Sequence, residues 1–161
     1  MSQSIPGNLR LLDRPTPAQR PWAEARLCYR AYGLRRRPAL YISEGTGDRP
    51  FVARLAQGWG AQKVLVARRG RDGLHVAMDR RLSMVVVDAH LPDVQAATLV
   101  LAMKRLARSS HLPIVVLAND RSSRQRAQFL WAGANAYVTE RSDGAEIEQT
   151  LGVLLDLTAQ Q

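Results

Sequence analysis

The sequence predicts an α/β fold in which helices cover both faces of a doubly wound, five-stranded parallel sheet. From residue 38 onward, short apolar runs typical of buried strands alternate with segments that repeat apolar residues at helical spacing. An alternation of strands and helices requires right-handed crossover connections, which leave the strands parallel. The length of 161 residues and the hydrophobic content of 46% suffice for one domain with a real core and an extension.

The elements follow one another in a regular order. Strands are predicted at residues 39–43, 61–67, 82–88, 112–118 and 134–138. Helices are predicted at residues 48–59, 70–80, 95–108, 121–132 and 143–158. The third helix has the clearest pattern, since Leu99, Met103 and Leu106 fall on one face, and Gly133 stops the fourth. Five strands alternating with five helices give the arrangement known as flavodoxin-like (βα)5, over a domain of residues 38–161.

Residues 1–37 form a basic N-terminal extension. They hold eight arginines against two acids, a charge of +6, whereas residues 38–161 hold 15 basic and 12 acidic residues, a charge of +3. Positions 1–20 have little periodicity and predict a flexible segment, while residues 21–34 predict a helix that begins at Pro21. A basic arm binds nucleic acid or acidic lipid by counterion release, or it serves as a solvated arm that aids solubility.

Composition also excludes several function classes. The single cysteine, Cys28, rules out an internal disulfide and a cysteine-rich metal site, and it fits a reducing cytoplasm. No apolar run approaches the 18 or so residues of a membrane span, and the N-terminus has no signal pattern, so we expect a cytoplasmic protein. Because the sequence contains no nucleophile–base pair, cofactor fingerprint or metal cluster, we do not expect an enzyme.

Asp88 is the principal candidate for chemistry. It ends the apolar run Val85-Val86-Val87 and is followed by the turn residues Leu91-Pro92-Asp93. A buried parallel strand delivers its last side chain to the carboxyl edge of the sheet, where ligands bind in open α/β folds. A carboxylate at this edge is a nucleophile, a metal ligand or a residue that caps the following turn.

Five segments, taken in order, resemble the receiver domain of bacterial two-component signalling. They are LYISE at residues 40–44, GRDGLHVA at 70–77, VVVDAHLPD at 85–93, LPIVVLA at 112–118 and AGANAYVT at 132–139. The third segment is similar to the phospho-acceptor strand and its turn, and the last to the turn into the fifth strand. The resemblance covers residues 39–158 and implies a response-regulator module of a phosphorelay.

The resemblance also implies a site. In receivers an Asp carboxylate accepts a phosphoryl group from a phosphohistidine, and Mg²⁺ neutralises the charge of the transferring group. On this sequence the resemblance makes Asp88 the phospho-acceptor. It makes Glu44, Asp88 and the backbone carbonyl of His90 the metal ligands. The switch positions are Ala118, Tyr137 and Glu140.

The sequence departs from the receiver pattern at most of these positions. The acidic pair of the family is Ser43-Glu44, and the hydroxyl of a Thr or Ser is lost at Ala118. Glu140 replaces a Lys, and two like charges at about 4 Å cost roughly 4 kcal/mol at an effective dielectric constant near 20. We therefore predict a degenerate pseudo-receiver with no cofactor, or with a weakly held Mg²⁺, in which Asp88 caps the turn or pairs with a neighbour.

Three functions remain open. The first is an atypical receiver-like module that acts through protein–protein interaction with a histidine kinase, a phosphotransfer protein, a downstream regulator or a second copy of itself. The second is a phosphorelay receiver that is phosphorylated on Asp88 with Mg²⁺ as cofactor. The third is a nucleic-acid-associated regulator that uses the basic arm. The interface candidates are Trp131, Trp22, Tyr29 and Tyr32. For Trp131 the alternative is a peripheral core position over Leu130 or Tyr137.

Overall fold

In the part of the chain that it describes, the computed structural model of the protein contains one sheet of six strands. It describes residues 9–11, 37–45, 49–106, 111–119, 121–139, 147 and 149–154. The strands are β1 Leu9–Leu11, β2 Ala39–Ile42, β3 Val64–Ala67, β4 Met84–Asp88, β5 Ile114–Ala118 and β6 Ala136–Thr139. Their order in the sheet is β1-β3-β2-β4-β5-β6, and β2 to β6 are parallel. The predicted flavodoxin-like arrangement is confirmed.

Strand β1 is an addition to the predicted sheet. It pairs antiparallel with β3, with Leu9 opposite Ala67 and Leu11 opposite Leu65. The prediction of a flexible segment over residues 1–20 is therefore wrong for residues 9–11. Three residues are too few to show a strand period, and the pairing partner lies more than fifty residues away in the chain.

Four helices fall within their predicted limits. They are α1 Arg49–Gly58, α2 Gly70–Asp79, α3 Ala96–Arg105 and α4 Ser123–Ala132. Residues 147 and 149–154 are helical too, inside the fifth predicted helix. None of the helices described is long and apolar enough to cross a membrane. The helix predicted over residues 21–34, with Trp22, Tyr29 and Tyr32, lies outside the described residues.

Helices on both faces of the sheet bury two apolar layers. Alternate residues of each strand point to opposite faces, so Leu40 and Ile42 contact the layer under α2, α3 and α4. Tyr41 and Val86 contact the layer under α1 and the helical residues after 147. Helix α2 lies so close to the sheet that a Cβ at Gly73 would overlap the Ile42 side chain.

The register of the central strands fixes the position of the site. Ile42 of β2 is paired with Val87 of β4, and Val87 in turn with Val116 of β5. The residues that follow β2, β4 and β5 therefore meet at the carboxyl edge of the sheet, where open α/β sheets bind ligands.

Candidate functional site

Asp88 lies half-buried at the end of β4 and is held by two hydroxyl groups of β2 and its following turn. The Tyr41 hydroxyl donates a hydrogen bond of 2.9 Å to Asp88 Oδ1. The Ser43 hydroxyl also hydrogen bonds to this carboxylate. Both partners are buried, with Tyr41 at 0% and Ser43 at 1% exposure. Asp88 thus pairs with neighbours, one of the roles that the sequence left open.

The contact with Tyr41 follows from strand parity. Tyr41 is opposite Val86 in the β2–β4 pairing, and Asp88 is two residues further along the same face. A tyrosine side chain is long enough to run along the sheet by this distance and end beside the carboxylate. Sequence reasoning treated Tyr41 only as an apolar strand residue. The sequence does contain a signal for this contact, because Tyr41 lies on the same face as Asp88 and a buried tyrosine hydroxyl needs a hydrogen-bond partner.

The environment of Asp88 disfavours its charged form. Burial raises the pKa of Asp88 above its ordinary value of 3.8. The hydrogen bonds from Ser43 and Tyr41, and the charge of the nearby His90, act in the opposite direction but are outweighed.

The residues that the resemblance implies as metal ligands differ in their exposure at this edge. Glu44 and His90 are exposed in the turns after β2 and β4, and Ser43 stands where the resemblance implies an acid. Within the described part of the chain, no group of three or more His, Cys, Asp or Glu side chains is placed to hold a metal ion. Mg²⁺ is bound in proteins by one or two carboxylates with several waters, and here the better placed carboxylate already accepts two hydroxyl hydrogen bonds.

The predicted switch positions are only partly brought together. Ala118 ends β5, is buried and has no hydrogen-bonding side chain. Tyr137 of β6 is half-buried, and its hydroxyl donates a 2.7 Å hydrogen bond to Gln125 Oε1 of α4. Its ring also lies 5.9 Å from that of Phe129 on the same helix. The aromatic side chain is thus anchored to α4, and Glu140 lies outside the described residues.

Asp93, in the turn after Asp88, caps helix α2 from a distance. Its Oδ1 accepts a hydrogen bond of 2.8 Å from the amide of Gly70, and its Oδ2 one of 3.0 Å from the amide of Arg71. Burial alone would raise the pKa of Asp93, but these amide hydrogen bonds outweigh it and lower the pKa below 3.8. The N-cap residue Arg69 supplies no side-chain bond, so the cap comes from 23 residues further along the chain.

Trp131, in the last turn of α4, is 91% exposed. The alternative of a core position over Leu130 or Tyr137 is therefore wrong, and Leu130 itself is 42% exposed. A groove of about 370 Å³ lies beside this helix, between α4, β6 and the helical residues 149–154. Its walls include Arg126 and Leu130 from the helix and Val138 from the strand.

Comparison with known proteins supports the fold. No family model matches the sequence, and no curated protein matches it. Among solved structures, the chain is similar to the chemotaxis response regulator CheY4 of Vibrio cholerae, with 20% identity over 74% of this chain and 98% of that one, and a TM-score of 0.63. A second similar structure is the receiver domain of a Pseudomonas aeruginosa sensor histidine kinase, which has a magnesium ion in its active-site cleft. It matches with 17% identity over 75% of this chain and 98% of that one, at a TM-score of 0.62.

A third neighbour carries the modification itself. It is a response regulator from Burkholderia pseudomallei with a phosphorylated aspartic acid, a calcium ion and citrate. It matches with 21% identity over 77% of this chain and 72% of that one, at a TM-score of 0.58. The chain therefore has the fold of response-regulator receiver domains.

Proposed function

We propose that this protein is a receiver-like signalling module that acts through protein–protein interaction without phosphorylation of Asp88. Residues 38–161 carry the module, and residues 1–37 form its basic extension. The observation that carries the proposal is the pairing of Asp88 with the hydroxyls of Tyr41 and Ser43. In this arrangement two hydroxyl groups donate hydrogen bonds to the carboxylate that phosphoryl transfer would use to hold a cation.

The chemistry of phosphoryl transfer supports this assignment. The reaction depends on positioned groups that stabilise the charge of the transferring phosphoryl oxygens. Ser43 replaces an acid that would hold Mg²⁺, and Ala118 has no donor for a phosphoryl oxygen. Both departures remove groups that would act on the same transferring phosphoryl group.

The face formed by α4 and β6 offers a surface for a protein partner. The Tyr137–Gln125 hydrogen bond and the Tyr137–Phe129 ring contact hold α4 against β6 without any contribution from Asp88. Trp131 is exposed on that helix, and large aromatic side chains supply much of the binding energy at protein interfaces. The partner we propose is a histidine kinase, a phosphotransfer protein or a downstream regulator, bound to a surface that stays in one state.

The test is an amide NMR titration of the full chain with Mg²⁺ and then with beryllofluoride, a mimic of aspartyl phosphate. We expect the resonances of Ser43, Asp88 and Tyr137 to stay unmoved in the wild-type protein. The variant Tyr41→Phe removes one of the two hydroxyls from the carboxylate. It reports whether this contact, rather than the other losses, prevents binding.

A different outcome would favour the phosphorelay alternative. Shifts centred on Asp88 and extending to Tyr137, absent in Asp88→Asn, would show that the site accepts a phosphoryl analogue. Shifts in Tyr41→Phe but not in the wild-type protein would support the proposal and assign the block to the Tyr41 hydroxyl.

A further inference from the structure

The amino edge of the sheet, opposite Asp88, carries a row of cations. Lys63 directly precedes β3, Arg37 lies two residues before β2, and Arg81 lies three residues before β4. The amide of Ala39 donates to the Lys63 carbonyl at 2.9 Å, and the amide of Ser83 donates to the Pro38 carbonyl at 2.9 Å. Because β3, β2 and β4 are neighbours about 4.8 Å apart, the backbone positions of these three cations lie at the same edge of the sheet.

Two helices add further positive charge to the same edge. Helices α2 and α3 run back from the carboxyl edge, and Arg80 and Arg105 lie at their ends. Lys63, Arg81 and Arg105 are exposed, and the other two are partly exposed. We call Arg37, Lys63, Arg80, Arg81 and Arg105 the amino-edge cations. Asp79 is the one acid that the described residues place beside these five cations.

The carboxyl edge mixes its cations with more acids. Its described cations follow β3 and β5 or begin α1, α2 and α4, and they are Arg49, Arg68, Arg69, Arg71, Arg121, Arg124 and Arg126. Its described acids are Glu44, Asp72, Asp88 and Asp93. Seven cations thus face four acids there, whereas five cations face one acid at the amino edge. The amino edge is therefore the end of the described domain at which acids neutralise the cations least.

Helix dipoles account for only part of the row. Cations at the C-terminal ends of helices are stabilised by the helix dipole, which explains Arg80 and Arg105. The other three amino-edge cations precede strands, whose dipoles are small. Like charges at one edge repel one another, and an anionic partner at this edge would relieve that repulsion.

We propose that the amino-edge cations bind the phosphate backbone of a nucleic acid. Guanidinium groups match the geometry of phosphate oxygens, and four of the five cations are arginines. Leu82, which follows Arg81, is buried, whereas Met78, two residues before Arg80, is 52% exposed. The row therefore offers mainly charge, with a single exposed apolar side chain among the described residues next to it, whereas protein interfaces and membrane-inserting surfaces use several.

The basic extension joins the domain at this same edge. Residues 1–36 contain seven arginines, and Arg35 and Arg36 lead directly into Arg37, one of the amino-edge cations. The two most basic parts of the chain are thus continuous in sequence. The high net charge of +9 also disfavours a second copy of the chain as the occupant of this surface, since the two rows would repel.

The test compares two triple variants of the full chain that lose the same charge. Arg37→Gln/Lys63→Gln/Arg81→Gln removes three amino-edge cations, and Arg68→Gln/Arg69→Gln/Arg71→Gln removes three from the carboxyl edge. Binding to a fluorescein-labelled DNA duplex of about 30 base pairs is followed by anisotropy between about 50 and 200 mM salt. Circular dichroism and thermal unfolding confirm that both variants are folded.

We expect the amino-edge variant to bind about tenfold or more weakly than the wild-type protein. We also expect its slope of log K against log salt to be shallower by about 0.9 for each lost phosphate contact. The carboxyl-edge variant should stay within about twofold of the wild-type protein. Equal losses in both variants, or no binding by the wild-type protein, would overturn the proposal. Binding to phosphatidylserine vesicles but not to DNA would overturn it too, and would identify a membrane surface as the partner.

Discussion

At the scale of single residues, the contact between Tyr41 and Asp88 has two opposing effects on stability: a hydrogen bond is formed, and a carboxylate charge is buried. The hydroxyl of Tyr41 is satisfied by the carboxylate, yet burial of that carboxylate raises its pKa because its charged form is poorly solvated. A neutral side chain of the same shape at position 88 would keep the hydrogen bond from Tyr41 and remove the buried charge. Asp88→Asn is such a change, since its amide oxygen still accepts the Tyr41 hydrogen bond.

We therefore expect Asp88→Asn to stabilise the fold at pH 7 by about 0.5–2 kcal/mol, the range common for stabilising substitutions. A carboxyl whose folded pKa is raised stabilises the folded state fully below pH 3.8 and loses this contribution as pH rises through the folded pKa. The advantage of Asn should accordingly disappear on acidification to pH 3.8. Urea denaturation across this range measures it. The control is Asp79→Asn at an exposed position, which should change the free energy of unfolding by less than about 0.5 kcal/mol. A lower stability of Asp88→Asn than of the wild-type protein at pH 7 would contradict the prediction.

Lys104 is a second residue whose environment sets its protonation. Its Nζ donates hydrogen bonds of 2.7 Å to the Leu112 carbonyl and 2.8 Å to Asn135 Oδ1. Both acceptors are neutral, so desolvation dominates and lowers the pKa of Lys104 from 10.5 to about 8. The folded state gives up this proton more easily than the unfolded chain does, so stability should rise as pH increases from about 8 to 10.5.

The protein contains only two lysines, Lys63 and Lys104, so the titration can be assigned without ambiguity. We expect the Cε resonance of Lys104 in a ¹³C-labelled sample to titrate with a midpoint near pH 8. Lys104→Met identifies the resonance. It should also remove the rise in stability between pH 8 and 10.5. A Lys104 midpoint above pH 10 would contradict burial as the controlling effect.

At the scale of elements, helix α2 depends on a cap from another part of the chain. Asp93 binds the amides of Gly70 and Arg71, and no side chain in the local sequence replaces it. Asp93→Ala should therefore destabilise the protein by about 1 kcal/mol, the typical cost of losing an N-cap. Faster hydrogen exchange at the amides of Gly70 and Arg71 would locate the loss at the start of α2.

The pH dependence separates the cap from simple packing. Because the folded pKa of Asp93 is lowered, its contribution is complete above pH 3.8 and is lost as pH falls through the folded value. The difference between the wild-type protein and Asp93→Ala should shrink accordingly below pH 3.8. Asp93→Asn keeps one amide acceptor and serves as the intermediate case. A difference that persists unchanged at low pH would assign the effect to packing instead.

The sequence predicts a helix or strand well when the element contains enough residues to show its own apolar repeat. The four described helices and five parallel strands lie within one to three residues of their predicted limits, because each run carries its own apolar pattern. The contacts that define the site are not local. Tyr41 meets Asp88 across 47 residues through the register of β2 and β4, and Lys104 of α3 meets Asn135 across 31 residues through tertiary packing. Ala118 and Tyr137 could be placed in advance because their motifs fix their strand positions.

At the scale of the whole molecule, charge and connectivity divide the protein into two ends. The carboxyl edge holds Asp88 and mixes cations with acids, whereas the amino edge has five described cations beside one described acid and joins the basic extension at Arg37. The sequence showed that the extension is basic but could not show that the folded domain continues its charge. The amino-edge cations are scattered between positions 37 and 105 and become neighbours only through the order of the strands.

Strand β1 completes this arrangement by covering an edge of the sheet. Without it β3 would be an edge strand with the apolar sequence Val64-Leu65-Val66-Ala67, and such edges favour association with other chains. Deletion of residues 1–12 should lower the free energy of unfolding by about 1–2 kcal/mol, since few net hydrogen bonds are lost. It should also promote self-association on size-exclusion chromatography. Deletion of residues 1–8 leaves β1 in place and is the control, so equal behaviour of the two truncated proteins would show that β1 contributes nothing in solution.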